Sequence, residues 1–396
     1  MYETYKHKTF FKILILLTSV IELPFCATYF GWPPLVYIFK AEGYFSDIES
    51  CSQNVTQIQN SNISDLTCQD QKDFIFATLY QTSDILQVAT ALLSGIFFDK
   101  YGSQKMRHLC TIFLSLGSLN GWLLVKPGYK NFYQNQWLLY TTMVCIGLGC
   151  VPLFITNMQM GFLFAKHSEA VMAFFNGMFD TGDGVTIIPK ILWQKYGLGV
   201  NFWFMIMFLV NFVILARTVF LFPKMFVEKE EFLNVERKES DTTDIDITKE
   251  EQVALKGDQT SEKLKLSELP KISSKQIYNW FLMPEFFFFI PWLTFINLNL
   301  NFFHQNLNAW LTEISDNDDT FVSNMTDLFS YIQPIAIVFS QVGGLVLRWF
   351  GVCLCLFLDI IYYTTQIAWC IMIKNLHSIK ILNEVSQNVF NHIKKT

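Results

Sequence analysis

The most obvious shortage in this sequence is charge. Asp, Glu, Lys and Arg make up only 16% of its 396 residues, whereas hydrophobic residues make up 52% and phenylalanine alone occurs 40 times. A soluble domain usually carries about a quarter charged residues. The charges are also unevenly spread, because long apolar stretches alternate with short polar ones. The composition therefore indicates a membrane protein.

Several functional signatures are missing as well. The sequence has no Walker phosphate-binding loop, which argues against transport driven by ATP. No group of cysteines and histidines has the spacing of a metal site. The net charge of −5 gives no general attraction to nucleic acid. We therefore expect neither an enzyme, nor a cofactor, nor a nucleic-acid partner.

Nine stretches resemble transmembrane helices, which need about 20 mostly apolar residues. These predicted spans, called first to ninth below, are 10–37, 74–98, 108–125, 136–163, 171–194, 201–222, 284–311, 327–348 and 350–373. The first is not a cleaved signal peptide, because it is too long and contains Glu22 and Pro24. The pattern predicts an all-α polytopic protein embedded in a lipid bilayer.

The distribution of charge predicts the orientation. Lysines cluster before the first span, and Lys100, Lys105 and Arg107 follow the second span, so both regions are expected on the cytosolic side. The loop at about 41–73 is acidic and is expected outside. We therefore predict a multi-pass protein of the plasma membrane with a cytosolic N-terminus.

Sequons and cysteines support this orientation. Asn54 and Asn62 begin glycosylation sequons in the first exterior loop, and Asn324 begins a third that is expected in the loop between the seventh and eighth spans. Cys51 and Cys68 lie in the first exterior loop. They either form a disulfide, which the exterior location favours, or remain two free thiols.

A charged segment divides the apolar spans into two groups. Residues 223–276 contain ten Lys or Arg and thirteen Asp or Glu, which predicts a cytosolic linker. It follows a six-span bundle at 1–222 and precedes a three-span bundle at 277–374. Residues 375–396 form an amphipathic tail rather than a span. Two related halves around a linker are typical of secondary transporters.

A motif with a known structural role follows the second span. Gly95, Asp99, Lys100 and Gly102 fit the major facilitator signature G-x-x-x-D-[RK]-x-G. Gly95 is expected to allow close helix contact, Asp99 to pair with neighbouring cations or cap a helix, and Gly102 to turn the chain. The motif predicts a conformational latch, and the alternative is an ordinary charged turn. After the eighth span, Gly344 and Gly351 repeat the spacing with Arg348 at the acidic position, a weak internal repeat that has lost its acid.

Several short runs suggest a particular family. They are Phe30-Gly31-Trp32-Pro33, Ile155-Thr156-Asn157-Met158-Gln159, Asn176-Gly177-Met178-Phe179-Asp180, Ala216-Arg217-Thr218 and Leu307-Asn308. Through them the sequence resembles, over residues 10–350, the solute carrier 43 family of major facilitators, and most closely its nucleobase-transporting members. Other members of that family carry large neutral amino acids.

The resemblance implies twelve spans, a substrate bound midway between two six-helix bundles, and sodium-independent facilitated transport. This sequence departs from the pattern, because only three predicted spans follow the linker. We therefore expect a major facilitator fold with a complete six-helix N-terminal repeat and a truncated three-helix C-terminal repeat. A shortened isoform, an incomplete gene model or a degenerate copy would each explain the missing spans.

Polar side chains inside the fifth span are candidate substrate ligands. Asn176, Asp180 and Asp183 are spaced four and three residues apart and therefore share a helix face. Carboxylate and amide groups can read the hydrogen-bonding edges of a nucleobase. Asn176 and Asp180 fit the family pattern, whereas Asp183 stands where the family usually has a small residue. The alternative is a cluster that only joins helices.

A second polar stripe runs along the seventh span. Asn297, Asn301, His304 and Asn308 recur at four, three and four residues, again on one face. Because such a stripe is costly against lipid, it is expected to face inward. Only Asn308 fits the family pattern, and Asn301 and Asn308 are substrate candidates. A single histidine in this setting is more often structural than a proton relay.

Four further residues, in the first, fourth and sixth spans, have more than one possible role or are weaker candidates. Glu22, in the middle of the first span, is expected to bind substrate, take up a proton or pair with a cation from another span. Gln159 is a weaker substrate candidate. Arg217 is expected to extend toward the interface. Trp32 is expected to anchor at the interface or to stack on a planar base.

These observations favour facilitative transport of purine nucleobases through alternating access. One alternative is facilitative transport of large neutral amino acids. The other is a truncated, non-transporting subunit that regulates or associates with a full-length relative, which the missing spans suggest. The expected small-molecule partner is thus a nucleobase or a neutral amino acid.

Overall fold

A computed structural model of the protein describes residues 2–5, 7–46, 61–124, 137–227, 284–315, 318–346, 349–351, 357 and 361. These residues form helices and connecting turns, with no strand among them. Outside them lie Cys51, Asn54, Arg348, the linker from 228 onward and the tail. The side chains of Asn62, Cys68 and Asn297 are likewise outside the description.

The chain forms two compact units. One consists of Met1–Val227 with Phe303–Thr396, and the other of Glu228–Phe302. In the second unit the described residues, 284–302, are helical and belong to the helix Pro284–Ile314. The side-chain clusters described below all lie in the first unit.

Four helices of the described residues are long and apolar enough to cross a membrane. They are Thr9–Tyr29, Leu138–Ala165, Val200–Leu221 and Asp319–Val346. They correspond to the predicted first, fourth, sixth and eighth spans. The seventh span is the helix Pro284–Ile314, as the apolar pattern predicts. The protein is an all-α, multi-pass membrane protein.

The first span is broken near its middle. An α-helix covers Thr9–Cys26, a 3-10 turn covers Ala27–Tyr29, and a second α-helix covers Trp32–Ala41. Two prolines in the first turn of the second helix explain why it starts afresh, because proline cannot donate the backbone hydrogen bond that a continuous helix needs. At the break, backbone groups in the middle of the bundle are left outside the regular hydrogen-bonding pattern of a continuous helix.

The second and third spans join at the motif glycine. Helical residues run from Ser61 to Trp122, but Gly102 interrupts them with φ +83° and ψ 175°. A Cβ at Gly102 would lie 2.6 Å from the carbonyl oxygen of Lys224, so the turn also packs tightly against the chain after the sixth span. The predicted tight turn at Gly102 is confirmed.

The motif residues before the turn behave differently. A Cβ added at Gly95 would meet nothing within 4 Å, so the predicted close helix contact there is wrong among the described residues. Asp99 and Lys100 are exposed at the end of the second span. Among the described residues, nothing would therefore clash with an alanine side chain at Gly95.

The fifth span consists of three short helices instead of one. They cover Ser168–Asp180, Gly182–Val185 and Ile187–Tyr196. A Cβ at Gly182 would lie only 2.4 Å from the Cβ of Ala27, so the breaks of the first and fifth spans meet backbone to backbone. The two interruptions place polar side chains in the interior.

The eighth span begins earlier than the sequence predicts. Its helix covers Asp319–Ile332 and continues through a 3-10 turn at Gln333–Ile335. Asp318 caps the helix by accepting hydrogen bonds from the backbone N–H groups of Thr320 and Phe321, at 2.9 and 3.3 Å. A further hydrogen bond from the Thr320 hydroxyl, the largest cause, helps to hold the pKa of Asp318 below its ordinary value.

This earlier start corrects the expected position of the third sequon. Asn324 is exposed but lies within the helix, so the prediction of a loop there is wrong. Thr326, which completes the sequon, is fully buried, and its hydroxyl donates to the Val322 carbonyl oxygen at 2.7 Å. Asp318 caps the helix, and the sequon follows it on the helix.

Candidate functional site

The first polar group of the interior, called the Glu22 cluster, comprises Glu22, Arg107, Asn157 and Arg217. It joins the first, third, fourth and sixth spans, and all four side chains are buried. One carboxylate oxygen of Glu22 lies 2.5 Å from Arg107 Nη2 and 2.7 Å from Asn157 Nδ2. The other lies 2.5 Å from Arg217 Nη1. Of the three roles expected for Glu22, this geometry matches pairing with cations.

The Glu22 cluster corrects the expectation for Arg217. Its side chain does not extend toward the interface but is 2% exposed. Nη2 donates to the Ser19 hydroxyl at 2.7 Å, and Nη1 donates to the Asn157 side-chain oxygen at 2.7 Å. Because Glu22 supplies a buried carboxylate, the guanidinium keeps its charge inside the bundle.

Arg107 is a component of the interior that the sequence reasoning missed. Its charge was attributed to the cytosolic loop, yet the residue is fully buried. Its Nε and Nη1 donate to the hydroxyls of Thr218 and Thr156, at 3.0 and 3.1 Å. The ring of Phe222 lies 3.5 Å from the guanidinium carbon, which adds a cation–π contact. An arginine just inside a span is the signal that indicates such a role.

Gln159 lies at the same end of the bundle. Its side-chain oxygen accepts a hydrogen bond from Ser103, the residue after the turn glycine Gly102. This contact ties the fourth span to the start of the third. The structure therefore gives Gln159 a partner within the first unit.

A second polar group, called the central cluster, comprises Asn176, Asp180, Asp183, His304 and Asn308. It lies where the broken first and fifth spans meet the seventh and eighth. Asp183 Oδ2 is 3.0 Å from His304 Nε2. Asn176 Nδ2 donates to Asp180 Oδ2 at 3.0 Å.

Asn308 links three spans within the central cluster. Its Nδ2 donates to the carbonyl oxygen of Pro33 on the first span at 2.5 Å. Its Oδ1 accepts from the hydroxyl of Thr326 on the eighth span at 3.3 Å. The predicted inward face of the seventh span is confirmed for His304 and Asn308, each of which is 4% exposed. Asn301, in the other unit, is half-buried.

Aromatic rings lie beside Asp180 in the central cluster. Phe179, next to Asp180, lies 4.3 Å from Phe154 and 5.7 Å from Phe30, measured between ring centroids. Such faces suit a planar ligand, while the neighbouring amide and carboxylate groups supply directional hydrogen bonds. The combination fits a small heterocycle better than a purely apolar ligand.

Trp32 is not an interfacial anchor. It is fully buried, and its ring packs between Phe39 and Tyr80, with centroid distances of 6.2 and 5.8 Å. The anchor prediction is wrong because the break at Gly31 turns Trp32 toward the second span. Its indole therefore contributes to an aromatic core with Phe39 and Tyr80.

Sequence reasoning also missed three ionisable residues. Asp84, in the second span, is half-buried in a span that is otherwise mostly apolar. Lys190, in the fifth span, is fully buried, and its Nζ lies 2.6 Å from Asp327 Oδ1 on the eighth span. An ionisable residue inside a predicted span is in itself the signal for such sites. Among the described residues, no group of three His, Cys, Asp or Glu is arranged to hold a metal ion.

Comparisons with known proteins agree with this picture at a coarse level. The chain is similar to Equilibrative nucleobase transporter 1 of Bos taurus, with 25% identity over 351 residues, which are 85% of this chain and 68% of that protein. No protein-family model matches the chain. No solved structure matches it. The chain is thus a multi-pass membrane protein similar to a transporter, and the predicted resemblance to a nucleobase transporter is confirmed.

Proposed function

We propose that this chain is a facilitative, sodium-independent transporter of purine nucleobases that works by alternating access. The observation that carries the proposal is the central cluster, where polar groups of the fifth and seventh spans meet beside the broken first span. Directional polar groups inside apolar spans are costly unless they serve a cavity or a partner. The similarity to a protein named as a nucleobase transporter supports the choice of substrate.

Asn176 and Asp180 are the proposed contacts to the base. Both lie on the fifth span, half-buried and hydrogen-bonded to each other at 3.0 Å. A carboxylate accepts and a carboxamide both donates and accepts, which matches the alternating edge of a purine. Phe30 and Phe179, whose rings meet edge to face, are proposed to pack against its faces. Asn308 is the proposed contact from the seventh span.

The wider architecture belongs to the same proposal. We place a complete six-span repeat at 1–222, a cytosolic linker at 223–276 and helices of a second repeat after it, as in major facilitators. The N-terminus is cytosolic, and the protein resides in the plasma membrane. Asn54 and Asn62 are glycosylated, and Cys51 pairs with Cys68. Glycosidase treatment and non-reducing electrophoresis test the last two statements.

Uptake measurements test the substrate. Cells expressing the full chain are expected to accumulate radiolabelled adenine, without dependence on sodium, and not leucine. Asp180→Asn is expected to reduce adenine uptake about tenfold or more, because a buried polar partner of the substrate is lost. Glu169→Gln, at an exposed acid on the same helix, is the matched control and is expected to be silent. Leucine uptake without adenine uptake would favour the amino-acid alternative.

A second candidate is a partner subunit, and one observation favours it. Only 6% of the most apolar stretch of Asp319–Val346 is buried among the described residues, which leaves apolar surface that a partner chain would cover. Absence of any uptake despite surface delivery, together with co-purification of a longer relative, would support this candidate. Strong uptake by the purified chain alone in liposomes would contradict it.

A further inference from the structure

The contact between Asp183 and His304 differs from the rest of the central cluster. It is an acid–imidazole pair with 3.0 Å between Oδ2 and Nε2, and both residues are buried, 8% and 4% exposed. It connects the fifth span, in the first group of six, to the seventh span, beyond the linker.

We propose that a proton held between Asp183 and His304 fastens the fifth span to the seventh, so that transport by this chain slows as the pH falls. The proposal rests on the proposed transport function, for which the two groups of helices must separate and rejoin. The uncoupled transport that the resemblance implies includes no such dependence. The pair is a positioning element, and it does not need to touch the substrate.

The physical basis is the strength of the contact in its two protonation states. With the proton on His304 the contact is an imidazolium–carboxylate ion pair. Without it, the contact is a hydrogen bond between a neutral ring and a charged acid. Hydrogen bonds with an ionised partner are roughly twice as strong as neutral ones, and those in which both partners are charged gain further. Histidine is the side chain that changes charge between about pH 5 and 8, so acid conditions favour the joined state.

The residues packed around Asp183 and His304 restrict the movement of both side chains. The rings of Phe303 and Phe329 lie 5.9 and 5.7 Å from the imidazole, so they shield it from water. At Gly182, next to Asp183, the fifth span touches Ala27 of the first span. Because the packing around both side chains leaves little room for them to move, they cannot stay in contact when the seventh span separates from the fifth. Separation of the two spans therefore breaks the ion pair.

Other ionisable groups face the pair and need to be distinguished from it. Asp180 on the fifth span and Tyr80 on the second lie close enough to Asp183 to interact electrostatically. Cys26 and Tyr29 belong to the packed part of the first span. On the eighth span, the facing charge is Asp327, which is paired with Lys190. Asp180 is the main competitor for a proton.

The test is the pH dependence of initial adenine uptake. Wild-type uptake is expected to be about three- to tenfold slower at pH 5.5 than at pH 7.5, in line with the stronger charged contact. His304→Gln and Asp183→Asn are expected to remove this dependence. His167→Gln, at an exposed histidine, and Asp180→Asn are the controls and are expected to keep the wild-type ratio. Where a single variant does not reach the surface, the double variant Asp183→Asn/His304→Gln replaces it.

A second measurement separates this proposal from the transport function. The thermal midpoint of the purified protein in detergent is followed at the same two pH values. The contact is expected to raise the midpoint at the lower pH relative to His304→Gln and to leave His167→Gln like the wild type. A wild type that lacks uptake but shows this difference would refute the transport function only. A pH response that survives in His304→Gln, disappears in Asp180→Asn, or is absent from the wild type would overturn the proposal.

Discussion

The helices before the linker and the eighth span after it differ sharply in how they are packed. We compare the most apolar 18-residue stretch of each helix. In the first, fourth and sixth spans, 44%, 50% and 39% of that stretch is buried, whereas in Asp319–Val346 only 6% is buried. The early helices surround one another, and their polar residues are enclosed. The eighth span contacts the first, fifth and seventh spans, but little of its apolar surface is buried among the described residues.

The polar contacts repeat this difference. The Glu22 cluster ties four spans together with one carboxylate between two guanidinium groups, supported by threonine, serine and asparagine. The contacts between the fifth span and the later spans lie at separate places, at Asp183–His304, Lys190–Asp327 and Ser340–Ala173, instead of forming one network. A network of several bonds resists separation more than isolated pairs do. The six-span bundle is thus expected to move as one body, and its contacts with later spans are expected to open.

The largest effect is expected from removing the shared acid of the Glu22 cluster. Glu22→Gln leaves Arg107 and Arg217 as two buried cations without a carboxylate, which is expected to lower the free energy of unfolding by about 3–5 kcal/mol. Arg217→Met is expected to cost less, because Glu22 and Arg107 then remain as a balanced pair. Unfolding in detergent with increasing denaturant measures both.

The order of the two variants is the informative result. The cluster contains one acid and two bases, so loss of the acid increases the uncompensated charge while loss of one base removes it. Equal losses, or a larger loss for Arg217→Met, would show that packing rather than charge balance holds these spans together. Glu169→Gln, at an exposed acid, is the control and is expected to have no effect.

Properties that repeat along one helix were predictable from the sequence. The apolar stretches predicted the spans, and the four–three–four spacing predicted that His304 and Asn308 face inward. The position of Gly102 in its motif predicted the tight turn. Each of these depends only on residues close together in the chain, where helical periodicity and backbone sterics act directly.

Contacts between helices were not predictable in the same way. Arg217 was expected at the interface and Arg107 in a loop, because a single sequence does not show which spans are neighbours of Glu22. The close packing of Gly182 against Ala27 joins residues far apart in the chain, so a single sequence does not show it. Asn324 was expected in a loop because the polar cap at Asp318 hides an early helix start.

A medium effect is expected at the motif glycines, which form a matched pair. Gly102→Ala places a side chain at φ +83° and 2.6 Å from the Lys224 carbonyl oxygen, which is expected to cost about 2–4 kcal/mol. Gly95→Ala meets no atom within 4 Å and lies inside a helix, so it is expected to be neutral or stabilising. Thermal midpoints of the two purified variants, compared with wild type, decide this. Similar midpoints would contradict the asymmetry of the motif.

The smallest effect is expected at the contact that joins Lys190 of the fifth span to Asp327 of the eighth. Lys190 Nζ contacts Asp327, the Ser323 carbonyl oxygen at 2.7 Å and the ring of Tyr37 at 4.4 Å. Asp327→Asn is therefore expected to cost only about 1–2 kcal/mol, because the ammonium group keeps its other two partners. In a Lys190→Met background the same change is expected to cost almost nothing, and Asp319→Asn at the exposed start of the helix is the control. If Asp327→Asn costs the same free energy in both backgrounds, the ion pair does not hold the eighth span to the fifth. That result would contradict the proposed difference between contacts that stay fixed and contacts that open.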